Sequence, residues 1–412
     1  MSTRSEAKFR DGALKIGLVF IAGFVGLVLC EVAIRLAGVS YPVFDIYDEE
    51  LGIKLKPGKE GWYRKEGEAY LEINSLGYRD AEHDLEASPD TFRIAVLGDS
   101  FTEARQIPIE DTYWDRLGND LDDCAAIAGQ DVEVLNFGIG GYSTTQSLLA
   151  YDLDARRFKP DLVLLGFFPG NDVRENSRTL FTANGSWLAP KPFHELVDGQ
   201  LELSPPAQLP AWKSWIYDGV QHSRLLELIN EVRRQMSVRG MRATHDENVE
   251  AVEAGISADI YLPLEAQETS PDLAEAWTLT RHILAELKRK VHDDGARFMV
   301  VTIPTSVQTH LDTAYREALT GKLGVDDLLF PDRQLAKFGQ DDGYPVFPSV
   351  AAMQTSVGDR HFHGFANTAY GIGHMNAEGH RVLAETLAGK LCAELDDGST
   401  LPPAQSSAAR ND

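Results

Sequence analysis

Positive charge is scarce in this sequence. Its 412 residues include 39 Lys and Arg against 63 Asp and Glu, a formal charge of −24. Phosphate would be repelled over most of such a surface, so nucleic acid is not expected as a partner. The same balance disfavours an anionic polysaccharide as a tightly held ligand, a local basic cleft excepted. Cysteine is scarce as well, with Cys30, Cys124 and Cys392 the three present. Ligand runs with zinc spacing are lacking. His361 and His363 flank Phe362 and could be joined by Asp359 or His374, but nothing of metal-site pattern accompanies them, so no metal and no cofactor is expected. Apolar residues are not lacking: at 43% hydrophobic content the chain can bury a large core, and one or two domains with appendages are expected.

A small-x-small cleavage site is also missing where a signal peptide would need one. Arg4, Lys8, Arg10 and Lys15 precede an apolar run from Ile16 to Cys30, and helical character continues to Leu36. Roughly twenty residues cross a hydrocarbon core about 30 Å thick, which sets Glu31 and Arg35 one helical turn apart near the far interface. Leu27-Val28-Leu29 before Cys30 is too bulky for a lipoprotein signal. The reading is an uncleaved single-pass anchor, residues 1–38, in the cytoplasmic membrane. Positive residues stay on the cytoplasmic side, so the remainder faces the periplasm or the cell exterior. Residues 39–90 are polar and turn-rich, punctuated by Pro57-Gly58, Gly67 and the turn Asn74-Ser75-Leu76-Gly77-Tyr78-Arg79-Asp80. They read as a β-rich tether, or as an added layer packed on the body.

The body, residues 91–395, begins with Phe92-Arg93-Ile94-Ala95-Val96-Leu97-Gly98-Asp99-Ser100. This apolar, β-branched run reads as a buried strand that breaks sharply and leaves Ser100 in the turn above a sheet, where open α/β sheets carry their chemistry. An exposed serine at a strand end is a candidate nucleophile. A second strand, Val132 to Asn136, runs into Gly138-Ile139-Gly140-Gly141, where backbone amides could approach a ligand closely. A third, Leu162 to Phe168, ends in Pro169-Gly170-Asn171-Asp172. Residues from about 173 to 295 are too many for one crossover and must contain an insertion. It holds Trp187, Trp212, Trp215 and Tyr217, a helical pattern from Leu225 to Val232 and a charged stretch around Arg239 to Glu253. Its aromatics read as packing, with a lid as the rival. A long helix over Asp272 to Val291 then delivers the chain to a fourth strand, Phe298 to Ile303, and a fifth lies at Pro345-Val346-Phe347. His374 precedes the last helix, whose apolar face runs from Val382 to Leu391. Residues 396–412 read as a disordered tail.

Four of these pieces together carry a resemblance. Gly98-Asp99-Ser100-Phe101, the glycine turn ending at Gly141, Gly170-Asn171-Asp172 and His374-Met375-Asn376 stand in the order, and at the strand ends, of the four blocks of the SGNH (GDSL-type) hydrolase superfamily. The anchor and the Asn74-to-Asp80 turn are similar to its membrane-anchored bacterial members, relatives of the alginate O-acetyltransferase type included. The resemblance implies a three-layer α/β/α sandwich with a central parallel sheet (SGNH/flavodoxin-like). It implies Ser100 as nucleophile and His374 as general base, with an oxyanion hole made by the Ser100 and Gly141 backbone N–H groups and the Asn171 side-chain amide. These roles agree with what acyl transfer needs, a hydroxyl activated by an imidazole and donors arranged around a carbonyl oxygen that gains charge. Asp99 and Asp172 are expected to hold turns rather than exchange protons. In a flavodoxin-like strand order the first and last helices share one sheet face, so Cys124 and Cys392, near the ends of those helices, are expected to form a disulfide, which an exported domain permits.

The family's acid is missing. Its members place an aspartate two or three residues before the histidine, and here those positions are Ile372 and Gly371. Three explanations stand: a Ser-His dyad oriented by a backbone carbonyl, an acid from elsewhere with Asp359 the nearest upstream, or an inactive site. The functional expectation is an extracytoplasmic serine esterase that works through an acyl-Ser100 intermediate on an acylated small molecule or glycan, an acetyl group on a cell-envelope polysaccharide being the first choice. The alternatives are an O-acyltransferase acting on a cell-surface glycan and a non-catalytic glycan-binding or secretion-complex subunit.

Overall fold

The structure, a computed structural model, describes residues 3–397 apart from 123, 184–189, 211, 214, 216–218, 220–221, 247–269 and 324. Trp187, Tyr217 and most of the expected disordered tail lie outside the described residues. In chain order the strands are β1 (Asp45–Asp48), β2 (Gly52–Leu55), β3 (Glu60–Tyr63), β4 (Ala69–Glu72), β5 (Thr91–Gly98), β6 (Asp131–Asn136), β7 (Leu162–Phe167), β8 (Phe193–Val197), β9 (Gln200–Ser204), β10 (Arg297–Thr302), β11 (Val346–Phe347), β12 (His363–Gly364) and β13 (Tyr370–Met375). The helices are α1 (Thr3–Leu36), α2 (Ser100–Glu103), α3 (Tyr113–Asp120), α4 (Thr144–Leu153), α5 (Asp172–Asn176), α6 (Arg178–Ala183), α7 (Arg224–Asp246), α8 (Pro271–Asp293), α9 (Thr313–Leu323), α10 (Phe330–Asp342), α11 (Ser349–Ser356) and α12 (Ala377–Asp397).

These elements form two units, one of Met1–Phe44 with Pro210–Glu247 and one of Asp45–Leu209 with Asn248–Asp412. The first unit holds α1 and α7. Leu14–Leu36 of α1 spans 23 residues at a mean hydropathy of 2.5, long and apolar enough to cross a membrane, as a signal sequence also is. Glu31 and Arg35 pair one turn apart at 2.7 Å, as their spacing requires.

In the second unit five parallel strands lie in the order β11-β10-β7-β5-β6. Their residues alternate between two buried faces. Ile94, Val96, Leu164, Met299 and Val301 pack with Trp114 and Leu117 of α3 and Leu383 and Leu387 of α12. Ala95, Leu97, Leu165 and Val300 are buried on the other side, where α4 meets β5 and α8 meets β10. This is the expected three-layer sandwich, and the strand order reverses between β5 and β7, where a flavodoxin-like sheet opens its crevice. α3 and α12 are neighbours, and Cys124 and Cys392 are joined in a disulfide with their Cα atoms 5.6 Å apart.

From Asp45 onward the segment read as a tether or an added layer falls in the same unit as the sheet, and its turn is tied into that unit by buried polar groups. Tyr78 donates its hydroxyl to Asp154 at 2.8 Å, and Asp80 accepts the Asn136 N–H at 2.7 Å. Arg79, 1% exposed, donates to the carbonyls of Glu103 at 2.9 Å, Ile107 at 2.6 Å and Ala104. Each of these carbonyls belongs to the turn that follows Ser100.

Candidate active site

The serine turn is shaped by close approach. β5 ends at Gly98, where a Cβ would lie 2.2 Å from Thr102 Oγ1, so a larger residue would push α2 off the strand end. Asp99 is 1% exposed and caps α2, its Oδ1 accepting the Phe101 N–H at 2.9 Å. Below, Trp114 Nε1 donates to the Thr102 carbonyl at 2.8 Å and Tyr113 shares a 2.9 Å hydrogen bond with Thr102 Oγ1. Ser100, the first residue of α2, is thereby held above the sheet edge.

His374 reaches Ser100 from β13, its Nε2 2.9 Å from Ser100 Oγ. It was expected at a loop-to-helix junction and instead lies in a hairpin strand, three residues before the start of α12. Its other ring nitrogen, Nδ1, is 2.5 Å from Glu66 Oε2, and Glu66 Oε1 accepts the His374 backbone N–H at 2.8 Å. The missing acid is therefore Glu66, in the turn between β3 and β4, and not Asp359, which is exposed. A carbonyl-oriented dyad is likewise not what the structure shows. Gly373 has φ +79 and a Cβ there would fall 2.2 Å from Glu66 Oε1, so the glycine before the histidine makes room for the carboxylate that replaces a local aspartate.

Glu66 is itself fixed. Its neighbour Gly67 exchanges two hydrogen bonds with the Asn367 side chain, at 2.9 and 2.8 Å. Burial alone would raise the Glu66 carboxyl, but the hydrogen bond and charge of His374 outweigh it and hold the group below its usual value. An ionised carboxylate accepts, so the proton of the neutral imidazole sits on Nδ1 and Nε2 is left to accept from the serine hydroxyl. The Phe101 ring, stacked on Phe168 at 4.0 Å, lies 4.9 Å from the imidazole and backs it.

Asn171 follows β7, across the reversal of strand order, and its Nδ2 donates to Asp99 Oδ2 at 3.0 Å, which ties it to the residue preceding Ser100. The glycine turn after β6 also comes to the serine, since a Cβ on Gly140 would lie 3.5 Å from Ser100 Cβ. The Gly140 N–H donates to Glu103 Oε2 at 2.6 Å, and the Gly141 carbonyl accepts from Lys191 Nζ at 3.0 Å with Gly141 at φ +86. Asp172 Oδ2 accepts the Phe168 N–H at 2.8 Å. Burial raises both Asp99 and Asp172, and the charge of Asp99 raises Asp172 further; in both, the contacts are those of turn holders. His363 is buried with Nε2 donating to the Pro304 carbonyl at 3.0 Å, while the His361 ring stacks on Tyr370 at 5.9 Å. Among the described residues no group of three or more His, Cys, Asp or Glu could hold a metal ion.

Sequence reasoning missed Glu66. The absent acid at positions 371 and 372 announced that one had to come from elsewhere. Nothing in Lys65-Glu66-Gly67-Glu68, however, separates Glu66 from an ordinary solvated hairpin turn.

No protein-family model and no curated protein sequence matches the chain. Among solved structures it is similar to TesA, with 13% identity and a TM-score of 0.35 over 73% of this chain and 97% of that one. A catalytic mutant of Axe2, an acetylxylan esterase from Geobacillus stearothermophilus, aligns with 11% identity and a TM-score of 0.35 over 73% of this chain and 93% of its own. The acetyl xylan esterase AlAXEase gives 12% identity and a TM-score of 0.36 over 73% of this chain and 98% of its own. Likeness at this level carries no chemistry across, which has to be read from the site itself.

Proposed function

We propose that the chain is a serine esterase of the SGNH type, with Ser100 as nucleophile, His374 as general base and Glu66 as the acid that orients it. The observation that supports this reading is the unbroken relay of 2.9 and 2.5 Å from Ser100 Oγ through His374 to Glu66. In the reaction Ser100 Oγ attacks the ester carbonyl while His374 Nε2 takes its proton, and Glu66 stabilises the imidazolium that forms. The oxyanion is received by the Ser100 and Gly141 N–H groups and the second hydrogen of the Asn171 amide, the first being engaged by Asp99. One such donor is worth about 3 kcal/mol of barrier. The imidazolium then protonates the departing alkoxide, leaving acyl-Ser100. Water, deprotonated by His374, attacks that ester and releases the carboxylic acid with Ser100 restored.

A complete relay speaks for catalysis over a non-catalytic scaffold. The substrate we favour is an acetyl ester on a cell-envelope glycan, with α1 as an uncleaved anchor and the site outside the cytoplasmic membrane, supported by the basic residues that precede the apolar run. A sugar hydroxyl could replace water in the second step through the same residues, and product analysis with and without an acceptor glycan separates hydrolysis from transfer. The test of the chemistry is turnover of 4-nitrophenyl acetate by Ser100→Ala and His374→Ala. Both should fall to the no-enzyme rate or within about a thousandfold of it; unchanged turnover in the two would overturn the assignment.

A further inference from the structure

Helix α7 is turned inside out for a helix in water. Over Arg224 to Met236 its carboxylates Glu227 and Glu231 are only 2% and 6% exposed, paired with Arg224 at 3.2 Å and Arg234 at 2.6 Å. Its aliphatic side chains are the ones outside: Leu226, Ile229, Val232 and Met236 are 39%, 53%, 42% and 66% exposed. At 3.6 residues per turn these four fall in one stripe roughly 120° wide, the width of an apolar face that normally seeks cover. Trp212 and Trp215, which precede the helix, are 62% and 75% exposed.

The same unit shows what covers this face. Glu31, near the end of α1, accepts from Ser223 Oγ at 2.8 Å and from the backbone N–H groups of Arg224 at 3.0 Å and Leu225 at 2.9 Å. Arg35 donates to the His222 carbonyl at 3.0 Å. The first turn of α7 is therefore pinned to the level at which α1 leaves the apolar part of its span. A second crossing by α7 is excluded by its composition, five arginines against three acidic residues in 23. That excess of positive charge, in a chain of net charge −24, suits anionic headgroups.

We propose that α7 lies in the membrane interface beside α1 together with Trp212 and Trp215, with Leu226, Ile229, Val232 and Met236 set into the acyl boundary and the tryptophans at headgroup level. The partner is the phospholipid bilayer that α1 enters, so the inference rests on the reading of α1 as an anchor. A span and an interfacial helix joined by Glu31 attach the first unit to the membrane at two points.

The test uses the full chain with Cys30→Ser, the Cys124–Cys392 bridge left oxidised, and one new cysteine carrying a bimane label, reconstituted in phosphatidylcholine–phosphatidylglycerol vesicles with or without 5-doxyl phosphatidylcholine. A label at Ile229→Cys, an exposed site whose substitution disturbs no packed group, should lose emission when the doxyl lipid is present. A label at Gln235→Cys, exposed on the side of the same helix away from Ile229, should keep most of it. Emission at position 229 that is quenched by aqueous iodide and untouched by doxyl lipid overturns the proposal and gives the stripe to another copy or another protein. A third label at Val19→Cys tells the two readings apart: quenching at Val19 without quenching at 229 sinks the interfacial helix alone, and quenching at neither sinks the anchor as well.

Discussion

A carboxylate 308 positions from its histidine in the sequence bonds the imidazole that the resemblance gives to a local aspartate. Glu66 bonds both the ring and the backbone N–H of His374, so it fixes the position of the imidazole as well as its tautomer. In Glu66→Gln one face of the group becomes a donor. An amide NH₂ cannot face both N–H groups of His374, so the ring proton moves to Nε2 and the serine loses its base. In a serine protease the equivalent change lowered turnover by about four orders of magnitude. We expect Glu66→Gln to lower kcat on a short acyl ester by about 10³ to 10⁴ with little change in KM, and Glu66→Asp to recover part of it. A glutamine variant that keeps a tenth or more of kcat would show that the carboxylate is structural. Ser100, His374 and Asn171 were legible in the sequence because strand ends and turns announce them. Glu66 was not, since its role exists only once two distant hairpins meet.

The element that fixes the serine turn is the Asn74-to-Asp80 turn, acting through Arg79. Three buried carbonyls after Ser100 converge on one guanidinium, those of Glu103 and Ile107 with the Ala104 carbonyl that also accepts the Ile107 N–H, and an unpaired buried carbonyl costs about 1–3 kcal/mol. Arg79→Ala should lower the unfolding free energy by about 3 kcal/mol or more, read as a drop in urea midpoint, and should lower kcat because α2 loses its anchor. Arg79→Lys should restore little, as an ammonium on a single stem cannot reach three carbonyls in a fork. An alanine variant with unchanged midpoint and kcat would remove the clamp from the argument. The long elements were readable from periodicity: β5, β6, β7, β10, α8 and α12 stand within a few residues of the positions the pattern gives. The β8–β9 hairpin was passed over although Gln200–Ser204 alternates polar and apolar residues, and the β12–β13 hairpin was not legible because β12 has only two residues and an irregular register at His363 and Gly364. The sequence left residues 39–90 open between a tether and an added layer for a related reason. Polar, glycine-rich sequence looks the same whether it is solvated or buried against a partner that satisfies it.

At the scale of the whole molecule, buried histidines set how stability depends on pH. His380 accepts the Tyr113 N–H on Nδ1 at 3.1 Å, between α12 and α3, and burial, reinforced by the charge of Arg79, pushes it down to about 3. Burial takes His363 down to about 4. Both are neutral in the fold and titrate near 6.5 when unfolded, so as pH falls below about 6.5 the unfolded chain binds protons that the fold refuses and stability drops. Glu66 acts in the same direction, since its depressed carboxyl contributes above the unfolded value of about 4.3 and loses that contribution as pH falls through the folded one. His83 opposes them. Burial would lower it, but Asp80 at 3.1 Å and Glu133 at 2.8 Å raise it to about 9. Its contribution is complete below about 6.5 and is lost as pH rises toward about 9. Asp99 and Asp172, whose carboxyls burial raises, act with His83, since the stability of their neutral forms is lost as pH rises. Urea midpoints should therefore reach a top between the acid decline set by His363 and His380 and the alkaline decline to which His83 contributes. His83→Gln should be less stable at the top and flatter on the alkaline side. A variant that keeps the full alkaline decline would show that the Asp80–His83–Glu133 cluster does not set that limb, and the decline would then belong to groups elsewhere in the fold.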